Sequence, residues 1–235
     1  YSADCEHIPE IEGRHILLAL MDWNLYTHED ACVISTSLAR NLTTYRHITS
    51  TFVDADGEMN IQVEEGAKVH PYYSVGNYFN KTQMFLTNQV AGEVIAKSTW
   101  TDEYEGHIVH YAKITVECEY KCLEGSKLSN LHSCKSIVSK ILPDERMPTM
   151  EDGTPVEMII SPMSIGNRVN PSLLMEGMLG MYARQKEEYI GIKPFDPSIS
   201  FESVSSKLEE IGLPKDCKFQ LTNGSKGKPF PNKTF

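Results

Sequence analysis

Three of the cationic side chains between Gly125 and Gly180 are spaced so that they could act together on one anionic group. Lys127 and Lys135 are eight residues apart, and Arg168 comes just before a segment that begins like a capped helix. Lysine is a compact charge on a flexible stem, whereas the arginine guanidinium can hold two phosphate oxygens at once. These residue types indicate a scaffold that presents a few cations to an anionic group. Ordinary surface lysines and an arginine paired with a carboxylate are the alternatives.

Residues 54–58 have the sequence DADGE, which is similar to half of a calcium-binding loop. The segment stands between two short runs of alternating polarity, where Asp-Gly is ordinary turn chemistry. The sequence from Thr51 to Val63 therefore predicts two short strands joined by a turn, rather than a metal site.

Four possible zinc ligands lie close to Lys127 in the sequence: Cys118, Cys122, His132 and Cys134. The first two cysteines belong to one predicted strand, four residues and therefore about 13 Å apart. Because two residues so placed cannot hold one ion without a sharp turn, we expect no zinc here. The six cysteines of the chain have no repeating spacing, which is typical of reduced thiols in an intracellular protein.

Short strands are predicted along most of the chain, and helices follow them. The predicted strands include residues 14–21, 90–95, 108–122, 137–141 and 153–160, with a loop-rich aromatic segment at 70–83. Asn170 is expected to cap a helix that starts at Pro171 and carries an apolar stripe of Leu174, Met178, Met181 and Tyr182. A second helix is expected over residues 201–211, ended by Gly212. The pattern predicts a β-barrel with helical appendages.

Composition restricts the function classes. The chain has 235 residues and a formal net charge of −10. A protein that binds nucleic acid by itself is usually basic, because contacts to phosphates supply most of the affinity. This chain therefore either does not bind nucleic acid or adds a few cations to a groove that partners build. It has no apolar run of 18 residues, so no membrane span is expected.

In five segments, taken in order, the chain resembles the second-largest subunit of multisubunit RNA polymerases, the bacterial β subunit. The run GRHILLALMDWNLYTHEDACVIS is similar to the family's Gly, apolar strand, Pro-Trp-Asn-x-Tyr, Glu-Asp and strand, with Asp22 in place of the proline. DADGEMNIQVEEGAKV resembles the hairpin at the entry to the family's flap, and HYAKITVECEYKCLEGSK resembles the strand that returns to the barrel. Residues 125–180 follow the family without a gap, and LTNGSKGKPF resembles its closing turn.

The resemblance implies a fold that is mainly β: a double-psi β-barrel with a shortened flap-like β insertion and C-terminal helices. Residues 8–40 would form the first part of the barrel, and residues 41–124 the insertion. Residues 125–183 would form the barrel core with the active-centre loop and a helix, followed by a connector helix and turn at 184–235. The aromatic loop 70–83 replaces the flap tip, so no bacterial specificity factor is expected to dock there.

The activity that the resemblance implies is DNA-directed RNA polymerase, the templated addition of a ribonucleotide to an RNA 3′ end with release of pyrophosphate. Lys127 and Lys135 would position the RNA end and the α-phosphate. His132 would bind there too, or be only a packed loop residue. Arg168 would contact the triphosphate, unless it pairs with a carboxylate such as Glu157 or Glu176.

Glu29 and Asp30 would lie near the second Mg²⁺ and act mostly through water. Because adjacent strand residues face opposite ways, only one carboxylate can point at the metal, and we favour Asp30. The primary Mg²⁺ would be held by the aspartate triad of a β′-type partner subunit, so the chain should be inactive alone. The other partners implied are the N-terminal part of β, the DNA template, the RNA product and NTPs.

The sequence also departs from the family. The family's Arg-His-Gly-Asn-Lys-Gly loop reads LHSCKS at residues 131–136, so both glycines and the arginine are missing. Divergence of this kind, with a short insertion, resembles the polymerases of giant bacteriophages, whose β subunit is split between polypeptides. The expected location is an infected bacterial cell or the virion. The alternatives are a structural or virion protein that kept the barrel and lost catalysis, and a single-chain RNA-directed polymerase, which would need an aspartate triad of its own.

Overall fold

The computed structural model describes residues 13–55, 57, 59–86, 91–132, 134–193 and 196–235. Most of their regular structure is β. The chain divides into two compact units. The first is formed by the residues up to Leu42 together with Cys122–Phe235, and the second is Thr43–Lys121. The second unit lies within the predicted insertion at 41–124.

The described strands, in chain order, are β1 (Leu18–Leu20), β2 (Ala31–Ser35), β3 (Thr44–Asp54), β4 (Asn60–Ile61), β5 (Lys68–Val69), β6 (Ser74–Asn77), β7 (Gln83–Phe85), β8 (Gly92–Tyr104), β9 (His107–Tyr120), β10 (Lys127–Ser129), β11 (Lys135–Leu142), β12 (Met158–Ile160), β13 (Thr222–Asn223) and β14 (Lys228–Pro229). The helices are α1 (Thr36–Asn41), α2 (Pro162–Gly166), α3 (Pro171–Lys186) and α4 (Phe201–Glu210). Within the described ranges, no helix combines the length and the apolar character that crossing a membrane requires.

A five-stranded sheet with the order β1–β12–β2–β11–β10 is the centre of the first unit. Its strand β2 runs antiparallel to β12 and parallel to β11. Cys32 and Ile34 pack into one apolar cluster, and Val33 between them packs into another. Since successive side chains of a strand face opposite ways, β2 is buried on both faces. Ala19 and its two neighbours in β1 divide between the same two clusters, as the apolar run at residues 14–21 predicts.

Two helices pack against each other beside this sheet. Met178 of α3 and Leu208 of α4 are fully buried in one cluster. The prediction of a helix over 201–211 is confirmed, and Ser200 caps it by accepting a hydrogen bond from the Ser203 N–H (3.2 Å). Pro171 begins α3 and Asn170 occupies the N-cap position, both as predicted, but the Asn170 side chain makes no capping hydrogen bond.

The second unit contains a four-stranded sheet, β3–β9–β8–β5, and a three-stranded sheet, β4–β6–β7. Alternate residues of β9 from Ala112 to Cys118 face its core, and the intervening side chains lie on the other face. The predicted hairpin at 51–63 is wrong: β3 pairs with β9, and β4 pairs with β6 in the other sheet. Part of DADGE lies outside the described residues. The segment 70–83, predicted as a loop, contains β6, and β8 continues beyond residue 95 because it pairs with β9 along its length.

Gly224 lies in the closing turn and approaches the backbone of another segment closely. A Cβ at this position would stand 2.3 Å from the Met147 carbonyl oxygen and 2.5 Å from that of Glu145. Replacing Gly224 with alanine should therefore lower the free energy of unfolding by about 1–3 kcal/mol, as overpacking does. Denaturant unfolding measures this loss. Gly180→Ala is the matched control, because its added Cβ would meet no described atom within 4 Å beyond its chain neighbours and the backbone of its own helix. A loss of equal size there would contradict the prediction.

Candidate functional site

Lys127 and Lys135 lie on one face of the hairpin formed by β10 and β11. Lys127 pairs with Ile137, and Ser129 pairs with Lys135. Because directly opposed and alternate residues share a face, the two lysines are diagonal neighbours, with Cβ atoms about 7–8 Å apart. Both are exposed, whereas Val138 on the opposite face is buried. The hairpin thus brings two residues that are eight positions apart in sequence to one accessible, cationic surface.

Arg168 forms an ion pair with Asp30, through its Nη2 and the carboxylate oxygen Oδ1. The side chains are 37% and 50% exposed, so the pair remains open to solvent and to ligands. Arg168 therefore does pair with a carboxylate, as the alternative to a phosphate contact predicts, but the partner is Asp30 and not Glu157 or Glu176. Glu157 accepts a hydrogen bond from the Leu17 N–H (2.7 Å), and Glu176 pairs with His132. The structure therefore joins two predicted site residues that are 138 positions apart.

The argument from strand geometry for choosing Asp30 over Glu29 is wrong, because both residues lie in the turn before β2. Glu29 has a φ of 51°, in the left-handed region. Its carbonyl oxygen accepts a hydrogen bond from the Ser164 hydroxyl (2.5 Å), which ties the turn to α2. The turn, rather than a strand, therefore sets the directions of the two carboxylates.

One backbone hydrogen bond connects the lysine surface with the ion pair. The N–H of Ile137 donates to the carbonyl oxygen of Asp30 (2.8 Å). Ile137 lies directly across from Lys127 and two residues after Lys135, and the Asp30 side chain contacts Arg168. The hairpin that carries Lys127 and Lys135 is therefore connected to Arg168 through the backbone and the side chain of Asp30.

The loop between β10 and β11, residues 130–134, turns without glycine; residue 133 lies outside the described residues. Asn130 Oδ1 accepts hydrogen bonds from the N–H groups of His132 (2.9 Å) and Cys134 (3.0 Å). The N–H of Asn130 donates to the Cys134 carbonyl oxygen (3.2 Å). An Asn side chain can close a turn on its own backbone in this way. None of the described loop residues has a positive φ, so Leu131 causes no strain of this kind. The first of the two missing glycines falls at residue 133, outside the described residues.

His132 is tied to α3 by two contacts. Its Nε2 hydrogen bonds to the Glu176 carboxylate, and its carbonyl oxygen accepts a hydrogen bond from Asn170 Nδ2 (2.9 Å). The Asn170 side chain therefore bonds to the loop between β10 and β11 instead of to the first turn of α3. The His132 side chain is only 24% exposed. This geometry favours a packed loop residue over a direct ligand for an anion.

Metal ligation is limited in the described part of the chain, where no group of three or more His, Cys, Asp or Glu side chains is placed to hold an ion. The thiols that suggested zinc are buried or partly buried. Burial raises the pKa of Cys118 and Cys122, which disfavours the thiolate that a metal needs. Asp30 differs, because its half-exposed carboxylate fits a Mg²⁺ ion that is held mainly by other groups and keeps its waters.

The sequence gives no expectation for Asn130 and Ser164, and it assigns Asn170 and Glu176 to other roles, a helix cap and a partner of Arg168. Asn130 carries a usable signal, because an Asn two residues before an exposed loop position is common in turns. Glu176 carries no local signal, since it meets His132 across 44 positions. The same holds for Ser164, which contacts the turn before β2 across 135 positions.

Several bacterial proteins are similar in sequence to this chain. The DNA-directed RNA polymerase subunit beta of Treponema denticola is 28% identical over 279 aligned positions, covering 95% of this chain and 24% of that protein. The subunit beta of Salinibacter ruber is 36% identical over 57% of this chain and 10% of its own length. That of Oceanobacillus iheyensis is 39% identical over 48% of this chain and 10% of its own length.

The chain thus spans about a quarter or less of the length of these curated relatives. The family described as RNA polymerase Rpb2, domain 6, matches residues 57–235, which is more than half of the chain. The match includes both lysines of the hairpin, the loop between them, and Arg168. The chain therefore belongs to the family of domain 6 of the RNA polymerase subunit Rpb2.

Proposed function

We propose that this chain supplies the β-type part of the active centre of a DNA-directed RNA polymerase, on a double-psi β-barrel built around the five-stranded sheet. The observation that carries the proposal is the joining of Lys127, Lys135, Arg168 and Asp30 through one hairpin and one turn. The relatives carry the name of this enzyme's subunit beta. The acidic net charge agrees with a chain that adds a few cations to a groove formed mostly by partners.

Lys127 and Lys135 hold the RNA 3′ end and the α-phosphate of the incoming nucleotide. Their shared, exposed face supports this role, because flexible side chains at diagonal positions of a hairpin can converge on a single phosphate cluster. A lysine ammonium donates three hydrogen bonds from a flexible stem, so it can follow an RNA end that moves after each addition.

Arg168 contacts the triphosphate. The ion pair with Asp30 uses one guanidinium nitrogen, Nη2, and the guanidinium has five N–H donors in all. The remaining donors are available to phosphate oxygens while Asp30 fixes the orientation of the group. Held in this way, Arg168 stabilises the negative charge that develops on the leaving pyrophosphate.

Asp30 also acts on the second Mg²⁺, through water, with Glu29 as its neighbour. When bound, Mg²⁺ neutralises charge on the triphosphate and orients the reacting groups. The carboxylate of Asp30 is suited to hold a metal-bound water, because it is half exposed and its position is fixed by Arg168. Primary metal ligation belongs to a partner subunit.

The partners in this proposal are a β′-type subunit with an aspartate triad, the N-terminal part of β, the DNA template and the RNA product. We keep the giant-bacteriophage origin with a split β subunit as part of the proposal. Its support is the moderate identity to bacterial relatives and the loop at 131–136 that turns without glycine. Mass spectrometry of the complex purified through this chain should find a subunit that carries the triad.

Substitution of Lys135 tests the proposal. In the assembled polymerase, Lys135→Ala should lower the rate of single-nucleotide addition by about 10- to 100-fold, because one charge-assisted contact of about 1.5–3 kcal/mol is lost. Lys226→Ala, which removes an exposed lysine of the same unit from a different turn, should leave the rate unchanged. Equal rates for the wild type and Lys135→Ala would favour the structural alternative, a barrel without catalysis.

A further inference from the structure

We infer that Asn130, Asn170 and Glu176 are positioning residues that hold the loop between β10 and β11 against α3, and thereby fix Lys135 relative to Arg168. This inference rests on the proposed function for its catalytic consequence. Its structural part, the anchoring of the loop, stands on the contacts of the loop alone.

The first component of the anchor lies within the loop. Asn130 fixes the N–H groups of His132 and Cys134 through one side-chain oxygen, and its own N–H reaches the Cys134 carbonyl. Cys134 directly precedes Lys135, which pairs with Ser129 at the last register position of the hairpin. The Asn130 side chain therefore sets the backbone geometry at the start of β11. In the family's loop, glycines would allow the chain to turn here.

The second component joins the loop to α3. Asn170 Nδ2 donates to the His132 carbonyl oxygen (2.9 Å) and lies 3.5 Å from Cys134 Sγ. Glu176, in the second turn of α3, binds the His132 ring. Asn170 thus holds the backbone of His132, and Glu176 holds its imidazole ring.

The position of Asn170 in the sequence links these loop contacts to Arg168. Asn170 follows Arg168 by two residues, so the segment that carries the triphosphate contact also holds the lysine loop. Val169 between them has a φ of 47°, which makes this connection a defined turn rather than an extension of α3. Any shift of the loop away from Asn170 changes the distance between Lys135 and Arg168. A misplacement of about 1 Å can cost about 100-fold in rate.

The test compares Asn170→Ala and Glu176→Ala with Glu176→Gln, which keeps an acceptor oxygen for His132. Glu210→Ala is the matched control, a glutamate at the exposed end of α4. Hydrogen exchange of the amides of residues 128–136, measured on the full chain, should accelerate at least about tenfold in the two alanine variants. The glutamine variant should recover most of the protection, and the control should match the wild type.

The second readout is single-nucleotide addition by the assembled polymerase. The alanine variants should raise the KM for NTP, or lower the rate constant per active site, by about tenfold, whereas Glu176→Gln should remain within about threefold of the wild type. A purely structural role would reduce the amount of folded protein without changing the KM. Glu176→Gln keeps the test usable if an alanine variant does not fold.

The outcomes separate this inference from the proposed function. Unchanged exchange in both alanine variants would overturn the anchor. Faster exchange with normal nucleotide addition would overturn the positioning role, provided that Lys135→Ala impairs the reaction. If Lys135→Ala also has no effect, the proposed function fails, while the faster exchange still supports the anchor.

Discussion

Arg168→Ala is expected to lower the rate constant for nucleotide addition by about 10²–10³-fold in the assembled polymerase. This is the effect of removing one preorganised donor that stabilises charge developing in a transition state. Arg168 is preorganised here because Asp30 binds one of its nitrogens and leaves the others to the ligand. Rapid-quench measurement of single additions, at NTP concentrations above and below the KM, gives the rate constant and the KM separately.

Two further variants sharpen this prediction. Arg168→Lys keeps the charge but loses the planar arrangement of donors, so it should lie between the wild type and Arg168→Ala. Arg184→Ala removes an exposed arginine near the end of α3 and should have no effect on the rate constant. A rate constant for Arg168→Ala within twofold of the wild type would contradict a role at the triphosphate.

The largest expected loss of stability comes from Ile34→Ala. Ile34 is completely buried in β2, whose neighbours β12 and β11 lie on its two sides. Truncation removes apolar contacts and leaves a cavity, so the free energy of unfolding should fall by about 2–5 kcal/mol. Urea unfolding of the full chain measures this change.

Leu123→Ala is the control for this experiment, because Leu123 is 58% exposed in the same unit. Exposed substitutions usually change the free energy of unfolding by about 0.5 kcal/mol or less. Equal losses for the two variants would mean that β2 is not the central strand of the sheet. Since β11 pairs with β2 and carries Lys135, Ile34→Ala should also make the lysine hairpin less protected from hydrogen exchange.

The elements that could be predicted from the sequence are those determined by local pattern. The helix α4 has a serine cap and regularly spaced apolar residues, and the structure places it at Phe201–Glu210. The strand β11 appears as a short β-branched run, although it starts at Lys135, two residues earlier than predicted. The errors arise where pairing with a distant strand decides the outcome. The strand β8 extends to Tyr104 through residues of mixed polarity because β9 offers a partner at every position from Ala96 to Tyr104.

The candidate site shows the same division. The two lysines are recognisable by type and spacing, and a hairpin is the local structure that brings them together. The pairing of Arg168 with Asp30 could not be predicted, because it depends on how the turn before β2 meets the segment before α3. Asn170 is a polar residue directly before a helix, a position that usually predicts a side-chain cap. In the structure its side chain instead donates to the carbonyl oxygen of His132, a contact that cannot be predicted from the sequence.

The most direct test of the central claim is a structure of the assembled polymerase with RNA and an incoming NTP analogue. The account predicts the ammonium groups of Lys127 and Lys135 and the guanidinium of Arg168 within about 4 Å of phosphate oxygens, the distance expected of a contacting ion pair. Phosphates bound entirely by other subunits, with these three side chains facing solvent, would contradict it.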